Sequence, residues 1–189
     1  MNDTDLAITF FTMLTLVANA ATLGLVGLAV APARPLSPGW TNLRADVTRT
    51  GLTVAWLVAA LSMSGSLWFS EVAGFEPCRL CWFQRACMYP LVVVLAVAAL
   101  RRRRHGSAGW AEWLALGLAG VGAAVATYHV LIERFPGLES GTCDPSTPCT
   151  LTWFERLGFV TLPYMALSGF VVIITLLLAS RPTPQESFA

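Results

Sequence analysis

The sequence contains no lysine. All twelve basic residues are arginine, which excludes Schiff-base chemistry and a Walker-type phosphate loop, because both need a lysine amine. Charge of either sign is scarce: 12% of residues are charged and the net charge is +1, so nothing marks a nucleic-acid surface. There is also no HExxH pattern, no nucleotide loop, no internal repeat and no low-complexity boundary. What the chain has in excess is hydrocarbon. At 189 residues, 56% of them hydrophobic, and a mean hydropathy of +0.64, it reads as a membrane protein, not a soluble globule.

Five apolar stretches are long enough to cross a bilayer as helices: 6–31, 51–70, 82–100, 109–132 and 158–180. Inside those limits the only charged side chains are Arg85 and Glu112. Glu112, between Trp110 and Trp113, reads as an interfacial group, whereas a charge at Arg85 costs roughly 2.5 to 3.5 kcal/mol on insertion scales at the bilayer centre and asks for a job. Ala29-Val30-Ala31 resembles a signal-cleavage site, but the N-terminus has two acids and no base, so the first stretch is kept as a span.

Arginine is unevenly distributed between the connections. Arg34, Arg44, Arg49, Arg101–Arg104 and Arg181 fall in three segments that the positive-inside rule assigns to the cytoplasm. The other two connections carry Arg79, Arg134 and Arg156 against five glutamates and Asp144, and are assigned outside. The resulting topology puts the N-terminus out and the C-terminus in, and it puts both cysteine pairs on the oxidising face.

Cys78 and Cys81 form a CxxC in EPCRLCWFQRACMYP. Pro77 suits a helix start, so both thiols fall in the first turns, where free N–H groups and the helix dipole favour a thiolate. Gln84 and Arg85 follow at the three- and four-residue spacing that shares the Cys81 face. Cys143 and Cys149 lie in TCDPSTPCT, among turn formers, and can close a small exposed ring. That ring reads either as a staple or as a partner in thiol–disulfide exchange with the first pair. A four-cysteine zinc site is the rival use, but five residues between the second pair is an atypical spacing, so no metal is expected. Cys87 falls on another face and reads as an inert buried thiol. His105 extends the arginine run. His129 belongs near the depth of Cys81 and Arg85, as a structural hydrogen-bonding group, a proton donor or a ligand for a cofactor. Ala115, Ala119 and Ala123, with Gly120 and Ala124, give a small-residue stripe for close helix packing, and Pro90 and Pro163 are expected to bend their helices.

CRLCWFQR, the following MYPL, YHVLIERFPG, and LGFVTLPYMAL after a second cysteine pair resemble the DsbB family of membrane thiol oxidases, in its shorter BdbC-like branch. The resemblance covers about residues 51 to 180. It implies an all-α integral membrane protein with a four-helix transmembrane bundle (51–70, 82–100, 109–132, 158–180), here carrying one extra N-terminal transmembrane helix. The chain then divides into that helix and a cytoplasmic linker (1–50), the bundle (51–180) and a cytoplasmic tail (181–189). The implied location is the bacterial cytoplasmic membrane. The implied activity is reoxidation of a thioredoxin-like, DsbA-type protein, with two electrons passed to a quinone, either ubiquinone or menaquinone. Carried over by position, Cys143 receives the partner's thiolate, Cys149 attacks Cys78, Cys81 donates to the quinone and Arg85 stabilises the charge. Gln84 and His129 fall near the quinone. A vitamin K epoxide reductase-like enzyme and a non-catalytic, disulfide-stapled scaffold or transporter are the alternatives; the first normally has its active CxxC late in the bundle.

Overall fold

A computed structural model describes residues 2–30, 38–144 and 146–181. Among these residues the chain forms five long helices: α1 (Asp3–Val30), α2 (Pro38–Glu71), α3 (Arg79–His105), α4 (Trp110–Arg134) and α5 (Leu162–Ala179). A single 3-10 turn, Pro136–Leu138, follows α4, and the described residues contain no strand. All five are long and apolar enough to span a membrane. The expectation of an all-helical bundle with an additional first helix therefore holds. Ala31, Arg34, Pro145 and the tail beyond Arg181 lie outside the described residues.

Helix ends differ from the hydropathy limits for local reasons. α2 starts at Pro38, well before residue 51, because the polar stretch ahead of the apolar run continues as helix. Thr48 and Thr50 hydroxyls there donate back to the carbonyls of Arg44 and Asp46. α5 starts at Leu162 instead of 158: Leu157 and Gly158 have φ of 56° and 75°, and Arg156 pairs with Val160 across that turn. Pro163 therefore sits in the first turn, where its missing N–H has no helical partner to lose, and it bends nothing. Pro90 is inside α3, as the sequence requires.

The core is made where α3, α4 and α5 meet α2, with Leu91, Leu95, Phe170 and Ile173 fully buried. On α4 the buried face runs Ala111, Ala115, Ala119, Gly122, Ala126 and His129. A spacing of four drifts around a helix with 3.6 residues per turn, so the stripe steps by three at Gly122 and leaves Gly120 and Ala124 exposed. At Gly122 the Phe170 ring of α5 packs directly on α4, and any Cβ there would collide with it. Glu112 does not face outward beside the exposed Trp110 and Trp113. It is buried at the arginine-rich end, 2.9 Å from Arg102 and 3.0 Å from Arg181, which satisfies both carboxylate oxygens.

α1 packs along α5, where Asn19 donates to the Tyr164 hydroxyl at 3.1 Å. Its first turn is tied to the segment before α5 by Asp5 and Arg156, 3.2 Å apart. It meets α2 through Phe11, whose ring lies against Gly65 and 5.4 Å from the Phe69 ring.

Candidate redox site

The site lies at the end of the bundle where α3 begins. Cys78 is the N-cap of α3, with extended backbone, and its Sγ accepts the Cys81 N–H at 3.4 Å, in the place where serine or aspartate oxygen usually caps. Cys81 lies one turn in, with its Sγ 3.0 Å from Cys78 Sγ, and the two are not bonded. The Cys78 thiol is held well below its ordinary range, to about 4, chiefly by the hydrogen bond from Cys81 and then by His129, against the opposing effect of burial.

His129 reaches this pair from α4. Its Nε2 lies 3.7 Å from Cys78 Sγ and 3.1 Å from the Cys149 carbonyl, while Nδ1 lies 3.1 Å from the Gln84 amide nitrogen. Assigned from these partners, Nε2 carries the proton and donates to Cys149, and Nδ1 accepts from Gln84. The histidine thus joins the CxxC to the second cysteine loop. Cys78, Cys81 and His129 have ligand atoms within 4.8 Å of one another, a set compatible with a thiophilic metal. Both imidazole nitrogens already have protein partners, so a metal would have to displace one of them.

Cys143 and Cys149 are joined in a disulfide, with Cα atoms 5.8 Å apart. Cys149 is buried against Cys78, Leu80 and Ile132, whereas Cys143 at the edge of this cluster is only partly buried. Asp144 folds the loop between them by accepting the Ser146 N–H at 2.9 Å and its hydroxyl at 2.7 Å. Arg79 docks that loop on α3 by donating to the Thr142 carbonyl. A stack of Phe69, Phe75 and Trp153, with adjacent ring centroids 5.7 and 4.9 Å apart, ties the first cysteine connection to the segment after the second. This stack was not singled out from the sequence, because its members come from three separate segments.

Arg85 is buried one turn further along α3. Its Nε donates to Ser66 Oγ at 2.9 Å and one terminal nitrogen to the Ser66 carbonyl at 2.7 Å, and its guanidinium lies 5.3 Å from the Trp82 ring centroid. No carboxylate pairs with it among the described residues. Two hydrogen bonds donated to Ser66 of α2 hold the cation in place without neutralising it, which suits a site where negative charge develops.

Cys81, Gln84 and Arg85 line a cavity of about 350 Å³ bounded by α1, α2, α3 and α5. Of the five cysteines only Cys81 is on its wall. The remainder is mostly apolar, apart from a few hydroxyls and Glu76; Tyr89 is among the lining residues, its hydroxyl buried with no partner among the described residues. His129 does not line this cavity. It faces a smaller one of about 210 Å³ that it shares with Cys78, Cys81 and Glu133, so its contacts are to thiols and not to the apolar chamber.

Residues 48–147 match the family model described as Disulfide bond formation protein DsbB. The chain belongs to the DsbB family. It is 38% identical over 124 residues to Disulfide bond formation protein C of Bacillus subtilis (strain 168), which covers 65% of this chain and 86% of that protein. Similarity to a Probable disulfide formation protein of Oceanobacillus iheyensis is 36% over 127 residues, covering 66% and 84%. A Probable disulfide formation protein C of Halalkalibacterium halodurans is 39% identical over 120 residues, covering 63% and 84%. No solved structure gives a significant match. The DsbB-family match takes in the CxxC, Arg85, His129 and Cys143, and leaves α1, Cys149 and α5 outside. Membership assigns the chain to disulfide-bond formation at a membrane.

Proposed function

We propose that this DsbB-family protein is a thiol oxidase that draws two electrons from a thioredoxin-like, DsbA-type protein outside the cytoplasm and delivers them to a membrane quinone, ubiquinone or menaquinone. The observation that carries this reading is the division of labour among the cysteines: Cys143 is partly buried in a loop, while Cys81 faces an apolar cavity beside a buried cation that no acid among the described residues pairs with.

The relay balances in four exchanges. The partner's thiolate attacks Cys143 Sγ, breaking the Cys143–Cys149 bond and leaving Cys149 as a thiolate. Cys149 attacks Cys78 Sγ of an oxidised Cys78–Cys81 pair, and Cys81 leaves as a thiolate. The partner's second thiolate closes the partner's own disulfide and releases Cys143. Cys143 then attacks Cys149 Sγ, which re-forms the loop disulfide and frees Cys78. The partner has lost two electrons and the Cys78–Cys81 pair has gained them.

A quinone accepts two electrons and two protons and leaves as quinol. Cys81 donates from the cavity wall, and Arg85 stabilises the negative charge that develops one turn away. Cys78, kept as a thiolate by the Cys81 hydrogen bond and His129, lies 3.0 Å from Cys81 Sγ and closes the disulfide.

The entry step is tested with a single-cysteine thioredoxin-like partner activated as a chromogenic mixed disulfide. With Cys78, Cys81 and Cys87 replaced by serine, the Cys149→Ser protein should couple to the partner through Cys143, and the Cys143→Ser protein should couple far more slowly through buried Cys149. Equal rates would remove Cys143 as the entry point. Turnover that survives Cys78→Ser and Cys81→Ser would overturn the relay through the CxxC, and no cysteine-dependent turnover by the unsubstituted protein would leave the stapled-scaffold reading.

A further inference from the structure

α1 lies outside the DsbB-family match, yet it does not merely rest on the bundle. Phe11, Leu14, Thr15 and Ala18 of α1 line the same cavity as Cys81 and Arg85. The helix is fixed at points around that space: Asp5 to Arg156, Phe11 against Gly65 and Phe69, and Asn19 to Tyr164 on α5. Between these points its Leu14 and Ala18 remain half-buried and border open volume shared with Val58 and Leu61 of α2. Gly65 makes the arrangement possible, since a Cβ there would lie 2.6 Å from the Phe11 ring and push α1 outward.

The cavity is polarised. Cys81, Gln84, Arg85 and Ser66 lie towards the CxxC end, whereas Leu14, Val17, Ala18 and Ala21 of α1 and Val54, Val58 and Leu61 of α2 supply hydrocarbon, the Thr15 hydroxyl between them being bonded back to the Phe11 carbonyl. A membrane quinone has the same polarity, with a redox ring at one end and an isoprenoid chain at the other. We propose that α1 forms a wall of the acceptor cavity that binds the isoprenoid tail, so that Leu14 and Ala18 determine preference between tailed and tailless quinones. This rests on the reading of Cys81 and Arg85 as the reducing end.

The test compares steady-state quinone reduction by the full-length protein with two quinones sharing one ring, one carrying an isoprenoid tail and one tailless. Leu14→Trp and the milder Ala18→Leu fill the tail space, and Leu23→Trp, at a lipid-facing position of the same helix that is 75% exposed, is the control. The two filling variants should raise KM for the tailed quinone about tenfold, the range that one misfitted methylene produces in an apolar pocket, with KM and kcat for the tailless quinone and the control unchanged. Turnover of the tailless quinone also reports that the variants are folded. Equal losses with both quinones, or no change with either, would overturn the tail-wall assignment while leaving the oxidase reading intact. Failure of the unsubstituted protein to reduce either quinone would instead overturn the oxidase reading, and this inference with it.

Discussion

Cys78 and Cys81 are three residues apart and differ in almost everything else. Cys78 caps a helix and touches His129, while Cys81 faces the large cavity. A depressed pKa means the thiolate survives as pH falls. The thiolate ultraviolet absorbance of the reduced protein should therefore persist through neutral pH and disappear only as pH falls towards about 4, and His129→Ala should move the loss to higher pH. With Cys87, Cys143 and Cys149 replaced by serine, a protein that shows no thiolate loss near pH 4 and titrates only in the ordinary thiol range near pH 9 would contradict the assignment. Arg85→Met should lower kcat/KM for quinone reduction about 10²-fold, the loss typical of removing one group that stabilises developing charge. Arg85→Lys should restore little, because an ammonium cannot reproduce the two bonds to Ser66 in the guanidinium geometry. Unchanged turnover in Arg85→Met would remove the cation from the chemistry. The CxxC and the Gln84-Arg85 pair were legible because their spacing along one helix carries the information. Ser66 was not, since it is one of several small polar residues on α2 and only tertiary packing selects it. His129 could be placed in depth from the sequence, but which side of the CxxC it touches depends on how α4 is rotated.

At the scale of elements, the five spans were legible from hydropathy alone, and the helix ends were not. Apolar length marks what the bilayer requires, whereas the start of α2 depends on polar residues that continue a helix and the start of α5 on a left-handed turn at Leu157 and Gly158. The small-residue stripe on α4 was seen with the wrong register in its second half, because a run of alanines and glycines offers several faces and Phe170 selects one. In lipid, helix association depends on close van der Waals packing, so this contact should be sensitive to volume. Gly122→Val should cost about 1 to 3 kcal/mol by overpacking and lower the thermal midpoint in detergent, with partial rescue by Phe170→Leu. A stability unchanged by Gly122→Val would contradict the α4–α5 approach. Glu112 shows what aromatic neighbours leave out: Arg102 of α3 and Arg181, just past α5, pair with the carboxylate and bury it.

For the whole molecule, the arginine distribution predicts that the cysteine end faces out. In a cysteine-free background, an impermeant maleimide added to intact cells should label Leu138→Cys and not Ser107→Cys; the reverse would invert the topology. The second cysteine loop, the CxxC and the cavity are then arranged in sequence from the aqueous face into the bilayer, with α1 closing one side of the last station. That sequence of stations was partly legible, because two cysteine pairs on one face already imply a path. The cavity was not, because it exists only where four helices fail to fill the space between them. The central claim, that electrons leave through Cys81 to a quinone, is tested most directly by following quinone absorbance while the purified protein is supplied with a reduced thioredoxin-like partner. Quinol should form in proportion to partner oxidised, and both Cys78→Ser and Cys81→Ser should abolish it. Partner oxidation without quinol formation by any ubiquinone or menaquinone, or quinol formation that survives Cys81→Ser, would contradict the account.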